Sequence, residues 1–224
     1  NLFLRIMAHP EVLPKIGDAS KEVTPSKSNA VLSAADLYPT TLDLNVKLQP
    51  NDPVRRAYAL NLAFIARQFI LEHEFCHIFN GHVDWILDRH NLNALGEIGA
   101  SLIPGLSNLD LQTLEMDADC YGATYTLLGI IRGDRAKRFN NTVLVDLSEA
   151  IFAVRFAIYC IFRIFHNKPI DPMSPLLNES DHPPAILRQH IVSAAMESRM
   201  ADTNDLKDKI SADQFRDIGV RAVR

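Results

Sequence analysis

Cysteine is scarce in this chain: three in 224 residues, an odd number at Cys76, Cys120 and Cys160. Thiols so few and so widely spaced do not make a disulfide framework, and a reducing, cytoplasmic location is the expectation. A strong charge bias is lacking too. The net charge of −4 and a pI near 6.1 leave no basic footprint for nucleic acid. There is no internal repeat and no linker long enough to separate two domains. Nothing at the start resembles a signal peptide, although a chain beginning at Asn1 is expected of a fragment or processed form whose native start is missing. An uninterrupted membrane span is also absent. The most apolar run, Leu147 to Phe165 (LSEAIFAVRFAIYCIFRIF), is nearly long enough, but Arg155 and Arg163 would each be costly at mid-membrane. They lie eight apart, near one face of a helix, so a buried core helix with one polar edge is expected and membrane association is not favoured.

What is present describes an ordinary globular protein: 47% hydrophobic and 22% charged residues, enough to bury a substantial core. Residues 1–39, punctuated by Pro10, Pro14, Pro25 and Pro39, read as a short helix followed by loop. Residues 40–224 read as a single domain. Thr40 to Leu48 (TTLDLNVKL) alternates cleanly and predicts a half-buried strand. Asp52 as N-cap and Pro53 at the first helical position then start a helix that ends near Asn80-Gly81. Further helices are expected from Asp110 to Gly133, over Leu147–Phe165, and from about Pro184 to Ala201, with a surface helix in the tail. Residues 91–108 read as a loop or lid. The expected fold class is α+β, mainly helical, with a small sheet or edge strand beside the Pro53 helix.

That helix carries the most informative residues, His73-Glu74-Phe75-Cys76-His77. Side chains four apart on a helix stand one above the other, so both imidazoles of an HExxH sequence reach one metal ion. Glu74 then sits beside the metal's open position, where a general base is needed. Phe69, Ile70, Leu71, Phe75, Ile78 and Phe79 suggest a buried core helix, on which ionisable groups need partners.

A catalytic zinc needs three protein ligands and an open position. A third histidine six residues after the second is ruled out, because Val83 stands there. His82 is five residues on and off the face if the helix continues. Glu115 is the better candidate: Asp119, four residues later, shares its face and can hold the tautomer of a ligand histidine. Leu114, Met116, Ala118, Cys120 and Tyr121 surround the pair, unlike a solvated acidic face. Glu97 is a competitor, 20 residues after His77 but in a glycine-bearing loop. Cys76 and Cys120 read as small buried apolar groups.

HEFCH, then Glu115-Met116-Asp117-Ala118-Asp119, then Ser180-Asp181-His182-Pro183-Pro184 with Arg188 following, resembles the gluzincin metallopeptidases related to the CAAX prenyl proteases and the bacterial heat-shock membrane protease. The matching segments fall in that family's order across residues 73 to 188. The resemblance implies a zincin-like domain with Zn2+ on His73, His77 and Glu115, and with Glu74 as general base. It also implies Asp119 supporting a ligand, His182 donating to the tetrahedral intermediate, and Arg188 pairing with Asp119. Unlike those relatives the chain lacks a clear membrane helix, so prenylated substrates are not expected.

The expected function is that of a zinc-dependent metalloendopeptidase acting on a protein or peptide through zinc-activated water. The Thr40–Leu48 strand could receive substrate as an added strand. Two alternatives stand beside it. One is a regulatory or host-defence protease with one dedicated protein target, held inactive by residues 1–39 or 91–108. The other is a non-catalytic module whose structural zinc is closed by His82 or Cys120.

Overall fold

Asp52 and Pro53 start the longest helix among the described residues. A computed structural model describes residues 2–22, 49–90, 106–132, 146–165, 183–204, 206 and 209–223. After a short helix α1 (Leu2–Met7) and a single 3-10 turn (Ala19–Lys21) comes α2 (Pro53–Phe79). It is followed by α3 (His82–His90), α4 (Asn108–Arg132), α5 (Leu147–Phe165), α6 (Ala185–Ala201) and α7 (Ala212–Val223). Asp52 caps α2 through its carboxylate, which accepts from Val54 N–H at 3.0 Å and Arg55 N–H at 3.1 Å. Gly81, at φ 73°, supplies the left-handed residue that stops α2 and lets the chain turn into α3.

The expected sheet is not found. Among the described residues there is no strand, and the fold is all-α rather than α+β. The reason lies on α2 itself. Its buried residues Tyr58, Leu62, Ile65, Ala66, Phe69 and Cys76 recur at helical spacing, and α1, α4 and α5 cover that stripe. The alternating Thr40–Leu48 segment lies outside the described residues.

A single core joins α1, α2, α4, α5, α6 and α7. Phe69 of α2 meets Phe162 of α5 edge-on at 5.7 Å between ring centroids, and the Tyr58 hydroxyl donates to Glu149 at 2.6 Å. Near the N-terminus, fully buried Arg55 donates to the carbonyls of Met7, His9, Val12, Leu13 and Ile16 at 2.8–3.0 Å. One α2 side chain thus satisfies a stretch of irregular backbone that has no ladder of its own. Residues 2–22 are part of this packing, with Phe3, Ile6 and Met7 in the core.

Two further expectations change. The C-terminal half of α2 is not a buried core helix: Phe69 is buried, but Leu71, Phe75, Ile78 and Phe79 are exposed. Alternate sides of one helix cannot both face the same neighbours, and the α4 and α5 contacts take the Phe69–Cys76 side. Helix α5 matches its expected bounds, yet Arg155 is buried and Arg163 exposed. Eight residues turn a helix by about 80° past whole turns, enough to part them. No helix among the described residues is long and apolar enough to cross a membrane. In the tail, the helix begins at Ala212 and buries Phe215, Ile218 and Ala222 against the core.

Candidate metal centre

The site forms where α2 and α4 approach closely. Small residues on α4 (Ala118, Gly122 and Ala123) are buried there, and a Cβ on Gly122 would stand 3.0 Å from the His73 backbone nitrogen and 3.1 Å from the Phe69 carbonyl oxygen. The missing side chain sets how near the acids of α4 come to the histidines of α2. The two helices run antiparallel at this contact, so Asp119 meets His73 and Glu115, one turn earlier, lies beside His77.

Three ligating groups converge. His73 Nε2 and His77 Nε2 lie 3.2 Å apart, while Glu115 Oε2 is 3.5 Å from His73 Nε2 and Glu115 Oε1 is 3.6 Å from His77 Nε2. A tetrahedral ion with bonds of about 2.05 Å spaces its ligands by about 3.3–3.4 Å. The two nitrogens stand near that spacing, and the carboxylate faces them with one oxygen towards each, all three residues offering a ligand atom within 4.8 Å of the others. All three residues are half-buried, which leaves an approach from solvent. Glu74 projects from the same helix as an exposed side chain, near enough to His77 for its charge to be felt there.

The surrounding hydrogen bonds fix which atoms are acceptors. Asp119 is almost fully buried, and both of its oxygens take charged hydrogen bonds from Arg188, at 2.6 Å from Nε and 2.7 Å from Nη2. Its Oδ1 is also 3.1 Å from His73 Nδ1, so Nδ1 must carry the proton. On the other side, His82 Nε2 is 3.0 Å from Asp117 Oδ2 and His82 Nδ1 is 2.9 Å from His77 Nδ1. With neutral imidazoles, His82 donates to Asp117 through Nε2 and accepts at Nδ1, so His77 carries its proton on Nδ1. Both Nε2 lone pairs then face each other and a carboxylate. Three acceptors aimed at one point repel unless a cation lies between them, and this donor set fits a metal ion.

The electrostatics agree. Burial, the largest effect, lowers the His77 pKa against the attraction of Glu115, which favours the neutral ligand form. Burial would raise the Asp117 carboxyl, but donors from Asn80, His82 and Cys76 outweigh it and its pKa is lowered. Burial first, then the Asp117 charge, pushes the Cys76 thiol up to about 12, and burial raises Cys120 to about 11. Both are protonated thiols at neutral pH, inert as nucleophiles.

Of the residues singled out from the sequence, the structure brings together His73, Glu74, His77, Glu115, Asp119 and Arg188. His182 and Glu97 lie outside the described residues, as does most of the 91–108 segment. His82 is not a fourth ligand in this arrangement: it reaches His77 through Nδ1, the nitrogen turned away from His73 and Glu115. Among the described residues, Cys120 belongs to neither group close enough to share a metal, whereas Cys76, His82 and Asp117 form a second such group. Sequence reasoning missed the contacts of His82 with His77 and with Asp117. The available signal was Asn80-Gly81: once the helix stops there, His82 no longer obeys the angular spacing of α2 and can fold back under His77. No family model, curated protein or solved structure matches the chain.

Proposed function

We propose that the chain is a zinc-dependent metalloendopeptidase of the gluzincin kind, with His73, His77 and Glu115 as ligands and Glu74 as general base. The observation that carries this reading is the convergence of two imidazole lone pairs and one carboxylate closely enough to share a metal ion, beside Glu74 on the helix of the histidines. Two nitrogens and one oxygen on an open site suit catalytic zinc rather than a closed structural site. When bound, zinc supplies a Lewis acid that polarises a carbonyl and acidifies water.

The chain's own residues do the rest. Asp119, locked by Arg188, keeps the His73 ring from rotating and its Nε2 unprotonated. Glu74, exposed and one residue after a ligand, takes the proton from an attacking water and later returns it to the leaving amine. His182 would donate a hydrogen bond to the developing oxyanion. The similarity of the three motifs to the gluzincin pattern supports peptides as the substrate class. The free thiols Cys76, Cys120 and Cys160 support a reducing, cytoplasmic location.

Incubating a mixed peptide library with zinc-loaded wild type and Glu74→Gln tests the proposal. Wild type should cleave, and the variant should bind one zinc yet lose at least about 100-fold in rate, the usual worth of a general base. Equal cleavage by both would remove Glu74 from the chemistry. A zinc-loaded wild type that cleaves no peptide or protein substrate would refute the peptidase reading.

A further inference from the structure

Behind His77, on the side of its Nδ1, lies a cluster that the proposed chemistry does not use: Asn80, His82, Asp117 and Cys76. His82 is buried, at 6% exposure, and its ring meets the His77 ring edge-on with centroids 5.0 Å apart. A buried imidazole needs partners for both nitrogens. Here it has them, in His77 Nδ1 at 2.9 Å and Asp117 Oδ2 at 3.0 Å. Asp117 Oδ2 also accepts from the Asn80 amide at 2.7 Å and from the Cys76 thiol at 3.6 Å. Every donor in the cluster points at that one oxygen, which leaves Asp117 as the terminal acceptor.

We propose that His82 and Asp117 are positioning residues that hold His77 in the tautomer able to bind the metal, through a chain running from Asp117 to His82 Nε2–H and from His82 Nδ1 to His77 Nδ1–H. The inference rests on the metal centre described above. It gives each ligand histidine its own carboxylate support: Asp119 acts directly on His73, and Asp117 acts on His77 through an intervening imidazole. The usual arrangement, in which a ligand's second nitrogen donates to an acceptor, is satisfied for both rings. Helix geometry explains the extra imidazole. Asp119 faces His73 across the Gly122 approach, whereas Asp117 is about 200° round α4 from Asp119 and does not meet His77 directly. Gly81 turns the chain so that His82 fills the gap.

A rival use of the same atoms is a second metal ion on Cys76, His82 and Asp117, whose donor atoms lie within 4.8 Å of one another. An ion there would have to break one of the two His82 hydrogen bonds and displace the Cys76 proton. The hydrogen-bonded chain needs neither change.

The test uses the full chain as wild type, His82→Leu, His82→Asn and Glu115→Ala. Nitrogen NMR on the zinc-free wild type reads the tautomers, and chelator competition reads zinc affinity and stoichiometry. We expect His77 protonated on Nδ1 and His82 on Nε2, with one zinc per wild-type chain. His82→Leu should bind zinc about 10–100-fold more weakly, the usual effect of losing a ligand's support. His82→Asn should recover most of that, because its amide oxygen falls near the Nδ1 position and accepts from His77. The tautomer measurement needs no variant, so it decides even if His82→Leu does not fold. His77 protonated on Nε2 in wild type, unchanged affinity in His82→Leu, or a second zinc lost in His82→Leu would each overturn the inference. If wild type binds no zinc, or Glu115→Ala binds it as tightly, the metal centre itself falls and this inference with it. Zinc lost in Glu115→Ala but unaffected in His82→Leu sinks the positioning role alone.

Discussion

Substituting Arg188 with methionine removes the contact that ties α6 to Asp119 on α4, beside His73. The Arg188 guanidinium makes two charged hydrogen bonds of 2.6 and 2.7 Å to Asp119, and its carbon lies 4.4 Å over the Phe162 ring. The two side chains are 8% and 1% exposed, so solvent screens the pair little. Breaking such a pair by removing one partner costs about 3–5 kcal/mol, mainly because the other charge is left buried. At about 2–4 °C per kcal/mol for a chain of this size, the melting temperature should fall by about 6–20 °C. Without Arg188, the Asp119 carboxylate is no longer held in place against His73 Nδ1. Zinc affinity should therefore fall together with stability. Urea unfolding of zinc-free Arg188→Met, Asp119→Leu and the double variant separates the parts. The double variant should lose about 2–3 kcal/mol less than the sum of the singles, since both charges leave together. A single-variant loss below about 1 kcal/mol, the worth of an exposed ion pair, would refute the reasoning.

Three other sites make separate predictions. Gly122→Ala should raise helix propensity by about 1 kcal/mol yet press on the His73 and Phe69 backbone, so calorimetry should show little change or a small loss while zinc titration shows weaker binding; tighter binding would contradict the close approach. Arg55→Met should be among the most damaging single changes, above about 4 kcal/mol by urea unfolding, because carbonyls from Met7 to Ile16 lose their shared donor. Gly219→Ala should destabilise by about 1–3 kcal/mol, since a Cβ there overlaps the Arg155 guanidinium packed on Phe215, and an unchanged melting temperature would place that arginine elsewhere.

The long helices and the inner ring of the site were legible in the sequence, because both rest on local spacing. Asp52, Pro53 and Gly81 mark α2 by capping chemistry alone, and the four-residue spacings of His73–His77 and Glu115–Asp119 follow from helix geometry. What failed depended on neighbours. The alternation of Thr40–Leu48 suggested a sheet beside α2, but a local pattern does not say which element covers a helix, and helices cover this one. Apolar residues on both sides of the HExxH segment suggested full burial, yet Ile78 and Phe79 stand 62% and 72% exposed because one stripe takes the contacts. His82 was judged by the angle of a helix that ends before reaching it. Its role depends on a turn and on Asp117, 35 residues away in sequence.

X-ray absorption at the zinc edge of the metal-loaded protein tests the central claim most directly. The account predicts a shell of nitrogen and oxygen alone at about 2.0–2.2 Å, with the imidazole signature of two histidines. A sulfur neighbour at about 2.3 Å would place the metal on Cys76 instead and contradict the assignment of His73, His77 and Glu115.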